Sequence, residues 1–416
     1  MVHEEHQPRR RGRPPKPLDA DGSRAARLGV EVRRRREQRG LTQDALAALM
    51  GFSPQHVSAV ELGQTAVSEQ FVQACDDALQ ADGQLVELLP LVVYERAQAR
   101  WSNRAARRSD PVHPALIAAS TDAQVIGEMI SALRRVDNRF GGGYARGVVL
   151  GYLKEEVQPV LSTVQKQCTA PRRLLQVVAE LTQLAGWIAH DIGDDDLARW
   201  YFSESLKLAR EAEDTAFESE VLAGMSQQAA YLGDGRTAVD AAQEARRHAI
   251  RSDLPALVSE AAAMEAHGHA LLGDSRASLA SMRTAERALD AGGDERRPPW
   301  LEYFDRAYLA AKFAHALHAL GAAKPAERYA VRSLRMSDGY ERGRLFNTVL
   351  LARIHADGGE LDAACELGRR SVAMASGIRS ARGRGYLADL RRRLEPHAAV
   401  PQVRDLREQI HSLGAV

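Results

Sequence analysis

The sequence of 416 residues is poor in the features that build β-sheets, disulfide frameworks or membrane spans. Aromatic residues make up only 5% of it, and a composition rich in Ala, Leu and Arg favours helices. The three cysteines stand far apart without a CxxC pair, as in proteins of a reducing compartment. No apolar run is long enough to cross a bilayer, and the N-terminus has no signal-peptide core. These absences predict an all-α, cytoplasmic protein that does not enter membranes.

Basic charge is concentrated at one end of the chain. The formal net charge is only +1, yet residues 1–39 carry twelve Arg or Lys against six Asp or Glu. Residues 40–95, in contrast, contain no Lys or Arg. Such asymmetry favours a partner with negative charge, and double-stranded DNA is the simplest one.

Composition and helix breakers divide the chain into four segments. Residues 1–22 are rich in Pro, Arg, Asp and Gly, and we expect a disordered basic arm. Glycines split residues 23–96 into short amphipathic runs, which predicts a domain of about five helices. Residues 97–114 contain four arginines and two prolines, typical of a linker. Residues 115–416 are predicted to form a helical domain.

That helical domain has a predicted start and a predicted first break. Thr121 followed three residues later by Gln124 is the pattern of a capping box, which predicts the start of a helix. The glycine run at residues 141–143 is expected to end this helix and to link it to the next one.

The residues between Gly40 and Glu61 follow the order of a helix-turn-helix. Thr42 and Ser53 stand at N-cap positions, and Gly51 permits the turn between the two helices. The apolar residues predicted to form the small core are Leu41, Leu46, Leu49, Val57 and Val60. The run resembles the XRE family, the Cro and phage-repressor type of helix-turn-helix, over roughly residues 24–90.

The resemblance implies a role for each helix. The helix over residues 42–50 crosses the DNA backbone, and the helix over residues 53–62 enters the major groove. The side chains implied at the DNA are Gln43, Ser53, Gln55, His56, Ser58 and Ala59. Gln55 is the preferred base-reading residue because its amide can bond the paired donor and acceptor of adenine. A merely solvated helix face is the alternative.

Charged residues before the recognition helix divide into two groups. Arg36 and Glu61 fall where the XRE family has a structural ion pair between the first helix and the recognition helix. Arg33 and Arg34 are candidate contacts to the DNA backbone, with ordinary solvated charge as the alternative. The recognition helix and its following loop carry no basic residue, so we expect the phosphate contacts to be supplemented from elsewhere.

The arm is one source of that charge. Residues 9–16 read Arg-Arg-Arg-Gly-Arg-Pro-Pro-Lys, which resembles an AT-hook. This resemblance implies that Arg11 and Arg13 lie in the narrow minor groove of A·T-rich DNA. A basic arm without groove specificity is the alternative.

Glycines recur at regular intervals in the second half of the chain. The intervals are 40, 40, 48 and 38 residues, between Gly193, Gly233, Gly273, Gly321 and Gly359. Five residues after each glycine stand Ala198, Ala238, Ser278, Ala326 and Ala364. Seven residues before each glycine stand Gly186, Ser226, Ala266, Ala314 and Ala352. Small residues at both places resemble tetratricopeptide repeats over roughly residues 172–380, which implies an α-solenoid of stacked helical hairpins. An unrelated helical bundle is the alternative.

Tetratricopeptide-like stacking would place two rows of side chains on a concave groove. The row thirteen residues before each glycine is Glu180, Glu220, Glu260, Tyr308 and Phe346. The row six residues before each glycine is Trp187, Gln227, His267, His315 and Arg353. We expect this lining to hold an extended peptide, a small molecule or a protein segment, with an ordinary solvated inner face as the alternative.

The sequence contains no catalytic or metal-binding motif. His267 with His269 and His315 with His318 lack both an HExxH pattern and a nearby cysteine. Neither a P-loop nor a Gly-x-Ser-x-Gly elbow occurs. We therefore predict a protein that is not an enzyme and that uses no cofactor or metal.

The complete architecture resembles regulators common in actinobacteria and the RRNPP group of peptide-pheromone receptors. In that group asparagines clamp the peptide backbone, and the predicted groove here has almost none. We expect a homodimeric transcriptional regulator, associated with the nucleoid, that binds a two-fold DNA site with an affinity set by what occupies the groove. The alternative is an adaptor whose repeats dock a protein partner while the DNA-binding domain serves as a tether.

Overall fold

A computed structural model describes residues 23–65, 67–81, 83–86, 88, 92, 114–158, 160, 162, 171–292 and 297–414. The predicted arm with Arg11 and Arg13, and the predicted linker up to residue 113, lie outside these residues. Contacts divide the chain into two compact units, residues 1–95 and residues 96–416. Each unit is described by itself.

The first unit is a bundle of short helices. Its helices are α1 (Arg24–Gln38), α2 (Gln43–Met50), α3 (Pro54–Glu61) and α4 (Glu69–Leu79), and residues 84–86 and 88 are also helical. The side chains of Thr42, Ser53 and Ser68 accept hydrogen bonds from backbone N–H groups of the helices that they precede. Gly51 ends α2 in the left-handed conformation, at φ +70°. The predicted caps and turn are therefore confirmed.

The predicted core of this unit is confirmed at three of five positions. Leu46, Val57 and Val60 are fully buried, whereas Leu41 is only half-buried. The prediction for Leu49 is wrong, because its side chain is 64% exposed. Leu46 and Ala47 are the buried residues of α2. Because a helix turns by about 100° per residue, Leu49 lies about 110° from the centre of the face that these two residues form.

A close crossing of α1 and α3 fixes the position of the recognition helix. Gly29 lies in α1, and a Cβ atom on it would come within 2.4 Å of the backbone oxygen of Val60 and 2.7 Å of that of Glu61. Only glycine permits this distance between the two backbones.

The second unit begins with a long helix followed by a shorter one. They are α5 (Pro114–Phe140) and α6 (Gly142–Tyr152), with a π-helical turn over Leu153–Val157. The predicted helix start at Thr121 is wrong, because α5 already begins at Pro114, an acceptable first residue for a helix. The predicted break in the glycine run is confirmed, since α5 ends at Phe140 and Gly141 has φ +89°.

Six antiparallel hairpins follow in sequence order. They are α7 (Arg172–Asp191) with α8 (Asp195–Glu211), α9 (Thr215–Tyr231) with α10 (Gly235–Arg251), α11 (Pro255–Leu271) with α12 (Ser275–Ala291), α13 (Arg306–Ala319) with α14 (Ala323–Ser333), α15 (Glu341–Asp357) with α16 (Leu361–Ala375), and α17 (Ala381–Arg393) with α18 (Pro401–Gly414). Each helix packs against its hairpin partner, and neighbouring hairpins stack. This is a tetratricopeptide-like array, as predicted.

The glycine register coincides with the turns inside the first five hairpins. All five glycines have positive φ, between +72° and +86°. The ten small residues around them are buried, so the two helices of a hairpin approach closely. Two of these small residues are serines whose hydroxyls donate to the opposing backbone, with 2.7 Å from Ser226 Oγ to Ala238 O and 2.9 Å from Ser278 Oγ to Ala266 O.

The interval of 48 residues between Gly273 and Gly321 reflects an insertion before the fourth hairpin. Residues 297–305 contain a 3-10 turn, Pro299–Leu301. In this segment Trp300 and Phe304 are buried in the hydrophobic core that the hairpins form. The same segment carries Tyr303, whose hydroxyl reaches carboxylates of α9 and α11. The residues inserted in this longer interval thus add a further contact to the inner side chains of α9 and α11.

The array closes on itself. Arg342 in α15 donates to both carboxylate oxygens of Asp137 in α5, at 2.6 and 2.8 Å. Asp191 at the end of α7 accepts from Ser380 Oγ, the N-cap of α17, at 2.8 Å. Backbone hydrogen bonds join Arg379 to Phe140 and Gly143, at 2.8 and 2.9 Å. The first and last hairpins are therefore held together by buried polar contacts. Among the described residues, no helix is long and apolar enough to cross a membrane.

Candidate functional site

The first candidate site is the outward face of α3. Gln55 lies in the first turn of this helix and its side chain is exposed, while Ser58 and Ala59 are half-buried. His56 is also half-buried, because its ring stacks on Phe52 with centroids 5.8 Å apart and meets Phe71 edge-on at 4.8 Å. Of the predicted base-reading residues, Gln55 is therefore the most accessible, and His56 packs against the domain.

A buried ion pair holds the opposite side of α3, as predicted. Arg36 Nε lies 2.5 Å from Glu61 Oε1, and Arg36 Nη2 lies 3.1 Å from Glu61 Oε2. The hydrogen bond to Glu61 raises the pKa of Arg36, so its guanidinium stays charged. Gln43 joins it, since its Nε2 donates to Glu61 Oε2 at 2.7 Å. In this structure Gln43 therefore orients Glu61. The family resemblance implied instead that Gln43 contacts the DNA.

The predicted backbone contacts on α1 already have acidic neighbours. Arg33 Nε lies 2.9 Å from Glu37, and Arg34 Nη2 lies 2.5 Å from Glu31. These are exposed pairs within one helix, which contribute little to stability and are easily exchanged for another anion. The two arginines remain predicted phosphate contacts.

The second candidate site is a partly open cavity of about 240 Å³ between the stacked hairpins. Seven of the ten predicted groove residues line it, namely Trp187, Glu220, Gln227, His267, Tyr308, His315 and Phe346. The other three lie outside its lining: Glu180 and Glu260 are buried, and Arg353 pairs with Asp389 at 2.8 Å. The glycine register thus brings most of both rows to one place.

Glu220 and Tyr303 line the cavity, and Tyr303 also contacts the buried carboxyl group of Glu260. Tyr303 hydroxyl lies 2.7 Å from Glu260 Oε1 and 3.0 Å from Glu220 Oε1, and Gln183 Nε2 donates to Glu220 at 3.2 Å. Burial raises the pKa of Glu260 well above its ordinary value, and the charge of Glu220 raises it further. Burial also raises the pKa of Glu220. Because two like charges cannot both be ionised cheaply here, the pair holds a shared proton.

We expect Glu260→Gln to remove a pH dependence of stability. The folded chain keeps a proton that the unfolded chain loses above the ordinary carboxyl pKa of 4.5, so wild-type stability falls as pH rises from there to the folded pKa. Each bound proton corresponds to a slope of about 1.4 kcal/mol per pH unit. Glutamine has a hydrogen-bond donor, as the protonated carboxyl group has, and it cannot ionise. The variant should therefore lose this slope and be more stable than wild type at higher pH.

Urea unfolding of the full chain across this pH range tests the expectation. Glu211→Gln, at an exposed position on α8, is the matched control and should follow the wild-type curve. Parallel curves for Glu260→Gln and wild type would contradict the shared proton.

Basic and polar groups also line the cavity. Lys312 Nζ donates to Gln227 Oε1 at 2.7 Å and lies 4.6 Å from the centre of the Tyr308 ring. Burial and the charge of Arg382 lower the pKa of Lys312 to about 7. Burial lowers the pKa of His267 to about 4 and holds that of His315 well below its ordinary value, so both imidazoles are neutral. Among the described residues, no group of His, Cys, Asp and Glu is placed to hold a metal ion.

Several lining residues were not predicted from the sequence. Tyr303 comes from the inserted segment, Lys312 lies between the two predicted rows on α13, and Arg382 and Tyr386 come from α17. The long interval before Gly321 was a signal for Tyr303. Arg382 and Tyr386 reach the cavity only because the ring closes, and no repeat spacing signals that.

Comparisons with known proteins agree with this two-part architecture. Residues 27–89 match the family model of a helix-turn-helix domain. A search of curated proteins found no match. Together with the stacked hairpins, the family match shows a helix-turn-helix domain at the N-terminus followed by a tetratricopeptide-like helical array.

Three solved structures are similar to the chain at low identity. A Rap protein in complex with competence and sporulation factor matches with 12% identity and a TM-score of 0.48, over 80% of this chain and 93% of that one. PlcR from Bacillus thuringiensis, in complex with the peptide PapR7 and DNA, matches with 18% identity and a TM-score of 0.30, over 64% and 94%. A signal-transduction ATPase with a tetratricopeptide repeat sensor from Pyrococcus horikoshii matches with 13% identity and a TM-score of 0.35, over 94% and 68%.

Proposed function

We propose that this protein is a transcriptional regulator that reads a specific sequence of double-stranded DNA with α3. The observation that carries the proposal is the exposed side chain of Gln55 on a capped helix whose inner side is fixed by the buried pair of Arg36 and Glu61. A rigid helix with a polar, accessible first turn is what insertion into the major groove requires.

Base reading is assigned to Gln55 above its neighbours. Its amide can donate to and accept from one adenine at the same time, and nothing in the described structure covers it. His56 is held between Phe52 and Phe71, so we assign it to setting the angle of α3.

The affinity for phosphate must come from outside α2 and α3, which carry no basic residue. Arg33, Arg34 and the basic arm with Arg11 and Arg13 are the proposed sources. One small domain with few phosphate contacts binds weakly, so we also propose a homodimer on a two-fold site.

The repeat array is proposed as the regulatory part. Its partly open cavity, with convergent polar groups and several shifted pKa values, has the character of a ligand site. Occupancy of that cavity would then alter the affinity for DNA by favouring one arrangement of the array.

Selection of bound sequences from random DNA tests the proposal. We expect the full chain to enrich a two-fold motif, and Gln55→Ala to relax the preference at one position in each half-site, at a cost of about 1–3 kcal/mol there. Gln38→Ala, at an exposed position at the end of α1, is the control and should select the wild-type motif. Enrichment of no motif by the wild-type chain would overturn the DNA-reading function, and an asymmetric single half-site would overturn the homodimer.

A further inference from the structure

Arg382 is a buried cation that has no hydrogen-bond or ion-pair partner in the part of the chain that the structure describes. Its side chain lies in the first turn of α17, lines the cavity and is only 7% exposed. The guanidinium carbon lies 4.8 Å from the centre of the Phe346 ring and 5.3 Å from that of Tyr231. Among the described residues none accepts a hydrogen bond from it or forms an ion pair with it, and its buried Nε has no partner. A guanidinium has five N–H donors, and leaving them unsatisfied in a buried site is costly.

The nearest acidic groups are already engaged. Asp191 accepts from Gly142 N and Ser380 Oγ, both at 2.8 Å, and lies 3.5 Å from Arg342. Asp137 is held by both Nη groups of Arg342. The charge of Arg382 lowers the pKa of Asp191, but neither carboxylate accepts a hydrogen bond from the guanidinium.

Lys312 is another cation of the same cavity, whose lining also includes Arg134 and Arg342. Of its three donors, one is used by Gln227 Oε1 at 2.7 Å. Arg382 lies close enough that its charge lowers the pKa of Lys312. An anion between the two cations would relieve their repulsion and supply the missing acceptors.

Aromatic side chains form part of the remaining wall, beside polar ones. Trp187, Trp300, Tyr340, Phe346 and Tyr386 line the cavity. Its volume of about 240 Å³ lies below the range of about 300–1,000 Å³ in which drug-sized ligands bind, so it suits a small group better than an extended chain.

We propose that the cavity binds the carboxylate of a small organic anion between Arg382 and Lys312, with the aromatic or apolar body of the ligand against the aromatic walls. The planar fork of a guanidinium matches the two oxygens of a carboxylate. This proposal deepens the proposed function, because it gives the ligand class of the regulatory cavity. Two sources share the chemistry: a free aromatic acid, and the C-terminal carboxylate of a short peptide.

Calorimetric titration of the full chain without DNA tests the proposal. The probes are benzoate, phenylacetate and indole-3-acetate with their amides as matched neutral controls, and short peptides ending in Phe or Trp as free acids and as C-terminal amides. We expect at least one acid to bind with a dissociation constant below about 1 mM and to exceed its amide about tenfold or more. The class that binds, free acid or peptide acid, identifies the source.

Variants assign the binding to the two cations. Arg382→Gln should weaken the bound acid about tenfold or more, whereas Arg384→Gln, exposed on the same helix, should leave its affinity unchanged. Lys312→Met provides a second test should Arg382→Gln fail to fold. The charged and titratable groups around Lys312 are Arg382, Glu260, Tyr308, His190, His267 and His315. Wild-type affinity should fall as pH rises through about 7, and Lys312→Met should remove that component of the fall, which separates it from the titration of Glu260.

The proposal is overturned when no acid exceeds its amide, or when Arg382→Gln and Lys312→Met both bind as wild type does. Because this titration contains no DNA, its outcome is independent of the selection experiment. If an acid binds but no DNA motif is selected, the cavity assignment stands and the regulatory function is refuted. If a DNA motif is selected but no acid binds, the DNA-reading function stands and the cavity assignment is refuted.

Discussion

Replacement of Arg342 by methionine is expected to lower the free energy of unfolding of the repeat array by about 3–5 kcal/mol. Arg342 is buried among the carboxylates of Asp137 and Asp191, and both of them raise its pKa although burial works against this. Without the guanidinium, two buried carboxylates would face each other with one cation fewer. Their repulsion is relieved only when they take up protons, so the loss of stability should be smaller at low pH.

Chemical unfolding of the full chain, followed by far-ultraviolet circular dichroism, measures this loss. Arg369→Met is the matched control, because Arg369 forms an exposed pair with Glu366 at 3.3 Å, which should contribute no more than about 1 kcal/mol. Similar small losses in the two variants would mean that the contact between α5 and α15 does not hold the ring closed. The double substitution Asp137→Leu with Arg342→Met should recover part of the loss, since an apolar pair carries no desolvation cost.

Replacement of Gly29 by alanine is expected to disrupt the helix-turn-helix unit alone. The added methyl would stand 2.4 Å from the oxygen of Val60, and a backbone atom cannot move aside without moving α3. Overpacking of this kind costs about 1–3 kcal/mol or more, which is a large share of the stability of a small domain. Affinity for the selected DNA should fall about tenfold or more, because the displaced helix no longer fits the groove.

Gel-shift titration with the selected duplex and thermal unfolding measure the two effects. Gly147→Ala in α6 is the control, since nothing lies within 4 Å of its added methyl. Alanine there should be neutral or stabilising by about 0.5–1 kcal/mol, because glycine is a poor residue inside a helix. Undiminished DNA affinity in Gly29→Ala would show that the crossing of α1 and α3 does not position the recognition helix.

Much of the fold could be predicted because its signals are local. Ser53 caps a helix through its own hydroxyl, and a glycine with φ near +80° marks a hairpin turn wherever it stands. Leu49 shows the limit of such reasoning, since an apolar residue in a short helix can still face outward when the buried face lies elsewhere.

The candidate cavity could be predicted only in part. The repeat register placed Glu220, Gln227 and His315 together, because stacked hairpins translate a sequence interval into a row. It could not supply Tyr303 or Arg382. The first comes from an insertion and the second from a helix that meets α7 only after the whole array has formed.

Closure of the ring also limits how this architecture can change. An open solenoid gains or loses a repeat at modest cost, since each repeat touches only its neighbours. Here the omission of one hairpin would separate Asp137 from Arg342, partners that lie 205 residues apart in the chain. The number of hairpins is therefore fixed by geometry, and new ligand preferences would have to arise by exchange of lining side chains while the array keeps its length.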